Sequence, residues 1–192
     1  VAAGAIGRGD AADSIGTAEG LLVALDAPIA DPAICETGIT QGAHVAPGRY
    51  YALGAVYSAG ASIAWAQRAI GSNRPVSDLI AEAGHIPAGS YGVMFVPHLQ
   101  LAMLPHLDLE ARGAFIGLST DTTTAATFRA VLEGLAFEGR IAWDLIARFA
   151  ELDRITDVRV LGGTAQSDLL VAIKASVANA QHHVLQLEQA TA

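Results

Sequence analysis

The 192-residue sequence predicts an α/β fold, a mixed sheet flanked by helices, and three stretches predict it. Residues 155–187 read as strand, glycine turn, helix and strand. Val158, Val160 and Leu161 form a β-like apolar run, Gly162-Gly163 breaks it, Leu169, Leu170, Ile173 and Val177 keep helical spacing, and a second β-like run follows from His183 to Leu187. Residues 14–54 alternate β-like runs with turn residues, the pattern of antiparallel strands. Residues 125–150 carry a long apolar stripe in steps of three and four, which suits a helix packed on a sheet. An antiparallel start followed by strand–helix–strand units gives a mixed sheet.

In chain order, residues 1–13 are small and glycine-rich, and no strand is predicted there. Their G-x-x-G-x-G order is not a dinucleotide fingerprint, which needs G-x-G-x-x-G after a strand. Residues 14–25, SIGTAEGLLVAL, read as a strand interrupted by a turn at Gly16-Thr17. That pair can give a phosphate one backbone N–H and one hydroxyl, and it equally fits an ordinary hairpin turn. Residues 34–54 read as an antiparallel meander turning at Gly38, Gly42 and Pro47-Gly48. A helix is predicted from Ala55 to Ile70 on Val56, Ala59, Ile63 and Ala66, stopped by Gly71 and Asn73. Ser77, Leu79, Ile80 and Ala83 give a shorter helix ending at Gly84.

Residues 91–108 predict a strand that breaks at Pro97 into a loop, and residues 113–119 another short strand. Thr122, Thr123 and Thr124 cap the long helix, whose stripe is Phe128, Leu132, Leu135, Gly139, Ala142, Ile146 and Phe149. Gly139 and Ala142 imply close approach to another element. Arg129 with Glu133, Arg140 with Asp144, and Asp144 with Arg148 are each four apart and predict a solvated helix face.

Composition bounds the function. With 52% hydrophobic and 16% charged residues, the chain can bury a sizeable core. A net charge of -8 and only 11 Lys and Arg, scattered, argue against a nucleic-acid partner. The single cysteine, Cys35, can form neither an internal disulfide nor a cysteine-based metal site, which predicts a reducing, cytoplasmic location. No apolar run reaches the roughly 18 residues of a membrane span, so no membrane partner is expected. His98, His106 and Asp108 have no regular spacing that would converge them, and no metal site is expected there. A mean hydropathy of +0.40 predicts surplus apolar surface, covered by a further domain or by a second copy in a homodimer.

The glycine pair Gly162-Gly163 carries the clearest chemistry. Two adjacent residues without Cβ let backbone approach a flat or charged ligand, and the following helix offers unpaired N–H groups and its positive dipole end. A nucleotide fits that description. A tight strand-to-helix corner fits the same pair.

Six motifs in order carry a resemblance that spans nearly the whole chain: SIGTAEG at 14–20, YYALGAVYSAGASIAW at 50–65, FVPHL at 95–99, ARGAFIGLS at 111–119, RAVLEGLAF at 129–137 and VLGGTAQSDLL at 160–170. Together they resemble the C-terminal domain of the FGGY family of carbohydrate kinases, the xylulokinase and glycerol kinase relatives. The resemblance implies an actin-like ATPase domain of the ribonuclease H type, truncated at both ends. It would be the nucleotide-binding half of a two-domain sugar or polyol kinase that uses ATP and Mg²⁺.

It further implies that Gly16 and Thr17 face the ATP phosphates, that Gly54 approaches the nucleotide, and that Gly162, Gly163 and Ser167 hold the adenosine. The sugar or polyol would bind through an N-terminal domain outside these residues. The family's catalytic base, an aspartate upstream of the Gly-Thr turn, lies farther back than the fifteen residues before Gly16; Asp10 and Asp13 are not in the matching motif. Two further departures stand at Leu101-Ala102-Met103, where the family has Gly-Glu-Arg, and at Ala126, where it has an acidic residue. They leave open a non-catalytic module that senses nucleotide or serves assembly.

Overall fold

The computed structural model describes residues 3–185. Its main sheet has six strands. β1 (Ala11–Ile15) and β2 (Glu19–Leu25) form an antiparallel hairpin, β4 (Tyr50–Val56) runs antiparallel to β2, and β3 (Thr40–Ala43) lies on the outer edge. On the other side β7 (Asp157–Leu161) runs parallel to β1, and β8 (Gln181–Val184) parallel to β7. The order β3-β4-β2-β1-β7-β8 is the mixed sheet that the sequence predicts.

Four helices complete the fold: α1 (Ala59–Ala69), α2 (Val76–Gly84), α3 (Thr124–Phe149) and α4 (Asp168–Ala178). α3 is the central one, packed against β2, β4, α1, α2 and α4. Its cap is as expected, with the Thr123 hydroxyl accepting from the Ala126 N–H. Facing it, Ala11 and Ile15 of β1, Leu21 and Val23 of β2, and Ala52, Gly54 and Val56 of β4 are buried at every second position. A Cβ on Gly54 would sit 2.9 Å from that of Ala142, so these two positions let helix and sheet meet closely.

A separate two-stranded sheet, β5 (Met94–Val96) and β6 (Ala114–Ile116), accounts for the two short strands predicted between α2 and α3. Phe95 and Phe115 lie 4.8 Å apart between ring centres, and both stack on Trp65 of α1. Three aromatic rings thus dock this small sheet onto the helical layer.

Several expectations need correction. β1 begins at Ala11, so a strand does form within residues 1–13, held by its pairing to both β2 and β7. Residues 55 and 56 belong to β4 rather than to a helix, because Val56 pairs with Glu19 and continues the two-residue alternation of Ala52 and Gly54. Residues 32–36 form a short 3₁₀ helix capped by Asp31, and Gly42 lies inside β3 rather than at a turn. The missing side chain of Gly42 makes room for the Tyr51 ring.

On α3, Asp144 is exposed as predicted and Arg140 half-buried, but Arg129 and Glu133 are buried. α2 and the loop after it cover them, and Glu133 accepts from the Gly89 N–H and the Ser90 hydroxyl. Arg148 lies over the Phe149 ring. The strand predicted over 183–187 is described as far as Val184, and its last two positions lie outside the described residues.

Candidate functional site

Two turns lie close together at the end of β1, one lining a cavity and the other joined to its wall through α1, and the local sequence explains both. The first is the β1–β2 turn. Its Gly16 N–H donates to the Ala18 carbonyl across the hairpin, and its own carbonyls are tied down by α1, whose Gly60 and Ala61 N–H groups donate to Gly16 O and Thr17 O at 3.1 Å each. The turn therefore caps the helix, satisfying N–H groups that a helix start leaves unpaired. Thr17 and Ala18 remain exposed.

Only glycine fits at residue 60, since a Cβ there would drive into the Gly16 carbonyl. Two hydroxyls beside this junction, Ser58 and Ser62, are buried without a hydrogen-bond partner among the described residues.

The second turn follows β7. Gly162 has φ +107, and a Cβ there would strike the backbone of Ile15, so this glycine is required where the chain crosses the end of β1. Residues 163–166 make one 3₁₀ turn, and Ser167 then caps α4 by accepting from the Leu170 N–H. A Cβ on Gly163 would meet nothing within 4 Å, so its backbone lies open.

Between α1, α2 and this second turn lies a cavity of about 660 Å³. Ile63, Val76, Ile80 and Leu169 give it apolar walls, while Gly60, Gly163, Thr164 and Ser167 present backbone and hydroxyl groups. No Lys or Arg lines it. A flat apolar body with a polar tail suits such a space, and its polar tail would be met by backbone N–H groups and hydroxyls rather than by cationic side chains.

Of the six residues predicted from the sequence, Gly163 and Ser167 line the cavity. Gly162 sits behind them at the strand end, and Gly16 and Thr17 adjoin it through their hydrogen bonds to α1. Gly54 does not reach it: that glycine lies in β4, against Ala142. The glycine at the cavity is Gly60, six residues on and within the same motif. A glycine opening a helix, directly after Tyr57-Ser58-Ala59, was the signal available for it.

Sequence reasoning also missed a charged cluster behind the first turn. Asp13 and Glu19 project from the same face of the hairpin, and both meet Lys174 of α4 in full burial. The Lys174 ammonium lies 3.1 Å from Asp13 Oδ2 and donates to Glu19 Oε1. Burial and the neighbouring Asp13 charge push the Glu19 carboxyl up to about 7, against the pull of Lys174. Burial also raises Asp13. Burial opposes the charge on Lys174, but the two carboxylates outweigh it and hold the ammonium protonated. Beside the cluster, Glu138 of α3 is raised by burial while His98 stands 3.3 Å from it, and burial lowers His182 of β8.

Residues 11–192 match the model of the C-terminal domain of the FGGY family of carbohydrate kinases. The chain is 30% identical over 146 residues to a xylulose kinase of Lactococcus lactis subsp. lactis, an alignment covering 76% of this chain and 29% of that protein. It is 39% identical over 134 residues to a glycerol kinase of Thermus brockianus, covering 66% and 25%. Among solved structures, a xyloylose kinase from Brucella ovis superposes with a TM-score of 0.86 at 27% identity, over 96% of this chain and 37% of that one. A ligand-bound xylulose kinase from Lactobacillus acidophilus gives 0.86 at 25% identity, over 97% and 37%. The chain thus spans well under half the length of the relatives it matches.

Proposed function

Since the chain belongs to the FGGY family of carbohydrate kinases through its C-terminal domain, we propose that it is the nucleotide-binding part of a protein that phosphorylates a sugar or polyol hydroxyl with ATP. The observation that carries this reading is the cavity itself, apolar on one side and bordered on the other by the Gly163–Ser167 turn and by Gly60, which hydrogen-bonds to the Gly16 carbonyl. Adenosine would lie between Ile63, Ile80 and Leu169, with the Gly163 backbone against it. The phosphates would run toward Gly16-Thr17.

There the Thr17 hydroxyl donates to a phosphate oxygen, and the tie from Gly16 and Thr17 to α1 keeps that donor from moving during transfer. Mg²⁺, when bound, neutralises charge on the phosphates. Among the described residues no group of three or more His, Cys, Asp or Glu is placed to hold a metal ion. The aspartate that takes the hydroxyl proton would lie outside this chain, as would the sugar site. Residues 1–192 alone would then hold nucleotide without turning over.

The test uses the full-length protein. ADP should bind in a calorimetric titration, and Thr17→Val should lower kcat/KM for ATP by about 100-fold, the scale of one lost donor at a transferring group. Unchanged kinetics in Thr17→Val would remove that residue from the site. A second reading, a nucleotide-sensing or assembly module without phosphotransfer, draws on Leu101-Ala102-Met103 and Ala126. ADP release with any of a panel of pentuloses, hexuloses and polyols would rule it out.

A further inference from the structure

We propose that Asp13, Glu19 and Lys174 form a buried strut that fixes the spacing between the turn at Gly16-Thr17 and the turn at Gly163–Ser167. This rests on the reading of those turns as the two ends of a nucleotide site. Asp13 precedes the first turn by three residues and Glu19 follows it by two, so one ammonium clasps both arms of the hairpin. Asp13 pairs with Leu21 and Ile15 with Glu19, which puts both carboxylates on the hairpin face that α3 and α4 cover. Lys174 lies seven residues after Ser167, two helical turns, and so on the same side of α4 as the cap that opens it.

α4 is short and unbroken between those residues, so a displacement carried by the helix would carry both. Any slide of α4 that shifts Gly163–Ser167 relative to the hairpin must also pull Lys174 away from Asp13 and Glu19. In an apolar interior that separation strands buried charges, whereas apolar side chains would tolerate a slide of similar size.

Gly139 marks the cluster as a fitted junction. α3 crosses at this point, and a Cβ on Gly139 would sit 3.2 Å from Lys174 Nζ and 3.4 Å from Glu19 Oε1, so the helix leaves out a side chain where the ion pair meets. Lys174 Nζ is the sole counter-group for Asp13 among the described residues, since neither Asp13 oxygen accepts from a backbone N–H or hydroxyl. An arrangement of two carboxylates and one ammonium is costly to bury, and apolar packing of equal volume would serve stability as well or better. Fixed geometry is what the charged version adds.

The experiment compares wild type with two variants of the full-length protein, Lys174→Met and the triple Asp13→Asn/Glu19→Gln/Lys174→Met, each checked for a cooperative melt. ADP affinity is measured by calorimetry, and KM is measured separately for ATP and for the sugar or polyol that supports turnover. The strut predicts that both variants lose about tenfold or more in ADP affinity and gain the same factor in ATP KM, with KM for the hydroxyl substrate unchanged. A merely structural cluster would lower the melting temperature of Lys174→Met and leave both nucleotide values where they were.

If Lys174→Met does not fold, the triple variant decides alone, because removing every charge together leaves none stranded. A folded triple variant that binds ADP like wild type overturns the strut. Wild type that fails to bind ADP would instead overturn the nucleotide reading on which it rests, and the two failures are told apart in one titration series.

Discussion

Glu19 has no counterpart in a reading of local pattern. It opens the strand EGLLVAL just after a turn, and its partner Lys174 is 155 residues away. Asp13 lies outside the motif of the family's base, and its place in the fold makes it part of a charged cluster. Spacing rules reach three or four residues along a helix or two along a strand, so a contact between β2 and α4 leaves no trace in either segment. Gly162 and Gly163 are the opposite case. Two adjacent glycines after an apolar β run announce a turn by themselves, and the structure gives one a positive φ and the other open space.

Protonation of Glu19 gives this cluster a measurable pH dependence. Its carboxyl is raised from 4.5 to about 7 in the folded protein, so the native state binds more protons than the unfolded chain between those values. The stability it contributes is present in full below pH 4.5 and is lost as pH rises through about 7. The lowered His182 acts in the opposite direction, and the raised Asp13 in the same direction as Glu19. Against Glu19→Gln, wild type is therefore expected to lose on the order of 3 kcal/mol between pH 4.5 and 7 in denaturant unfolding. A difference that stays flat across that range would show that Glu19 titrates as an ordinary carboxyl.

Element boundaries followed whichever period ran longest. α3 was legible end to end, because its stripe holds over seven positions and a threonine cap stands before it. Its polar side was not: Arg129 and Glu133 carry the four-residue spacing of a solvated pair, as Arg140 and Asp144 do, yet α2 and the loop at Gly89-Ser90 cover the first pair alone. Burial of a helix face depends on what packs there, and spacing within the helix cannot report it. In YYALGAVYSAGAS, alanine-rich helix propensity runs into a strand alternation, and pairing of β4 with β2 extends the strand to Val56.

The buried pair supports an expectation at this scale. Glu133→Ala leaves Arg129, 9% exposed, without its carboxylate and frees the Gly89 N–H and Ser90 hydroxyl. It should cost about 3–5 kcal/mol, as does breaking a buried pair from one side. Asp144→Ala on the exposed pair should cost under about 1 kcal/mol. Equal losses in the two variants, read from urea midpoints, would contradict this account of α3.

Across the whole molecule, the mixed α/β architecture and the closeness of the two turns follow from the order of elements. A parallel β7 beside β1 requires α3 and its connections to cross the sheet, and that crossing brings Gly162 over the end of β1. Part of the apolar surplus in the composition lies on and beside the small sheet, where Tyr91, Met94, Ile116 and Leu118 are exposed at 72%, 56%, 51% and 59%. The cavity, by contrast, was not legible, because its walls come from α1, α2 and α4 together.

Gly163→Leu in the full-length protein, titrated with ADP, tests the nucleotide site most directly. A Cβ at residue 163 would meet no atom of the protein within 4 Å, and the residue lines the cavity, so the variant should fold and melt like wild type. ADP binding should fall at least about 100-fold as the added side chain takes the ligand's place. A variant that melts normally and binds ADP as wild type does would place the nucleotide elsewhere and contradict the site described above.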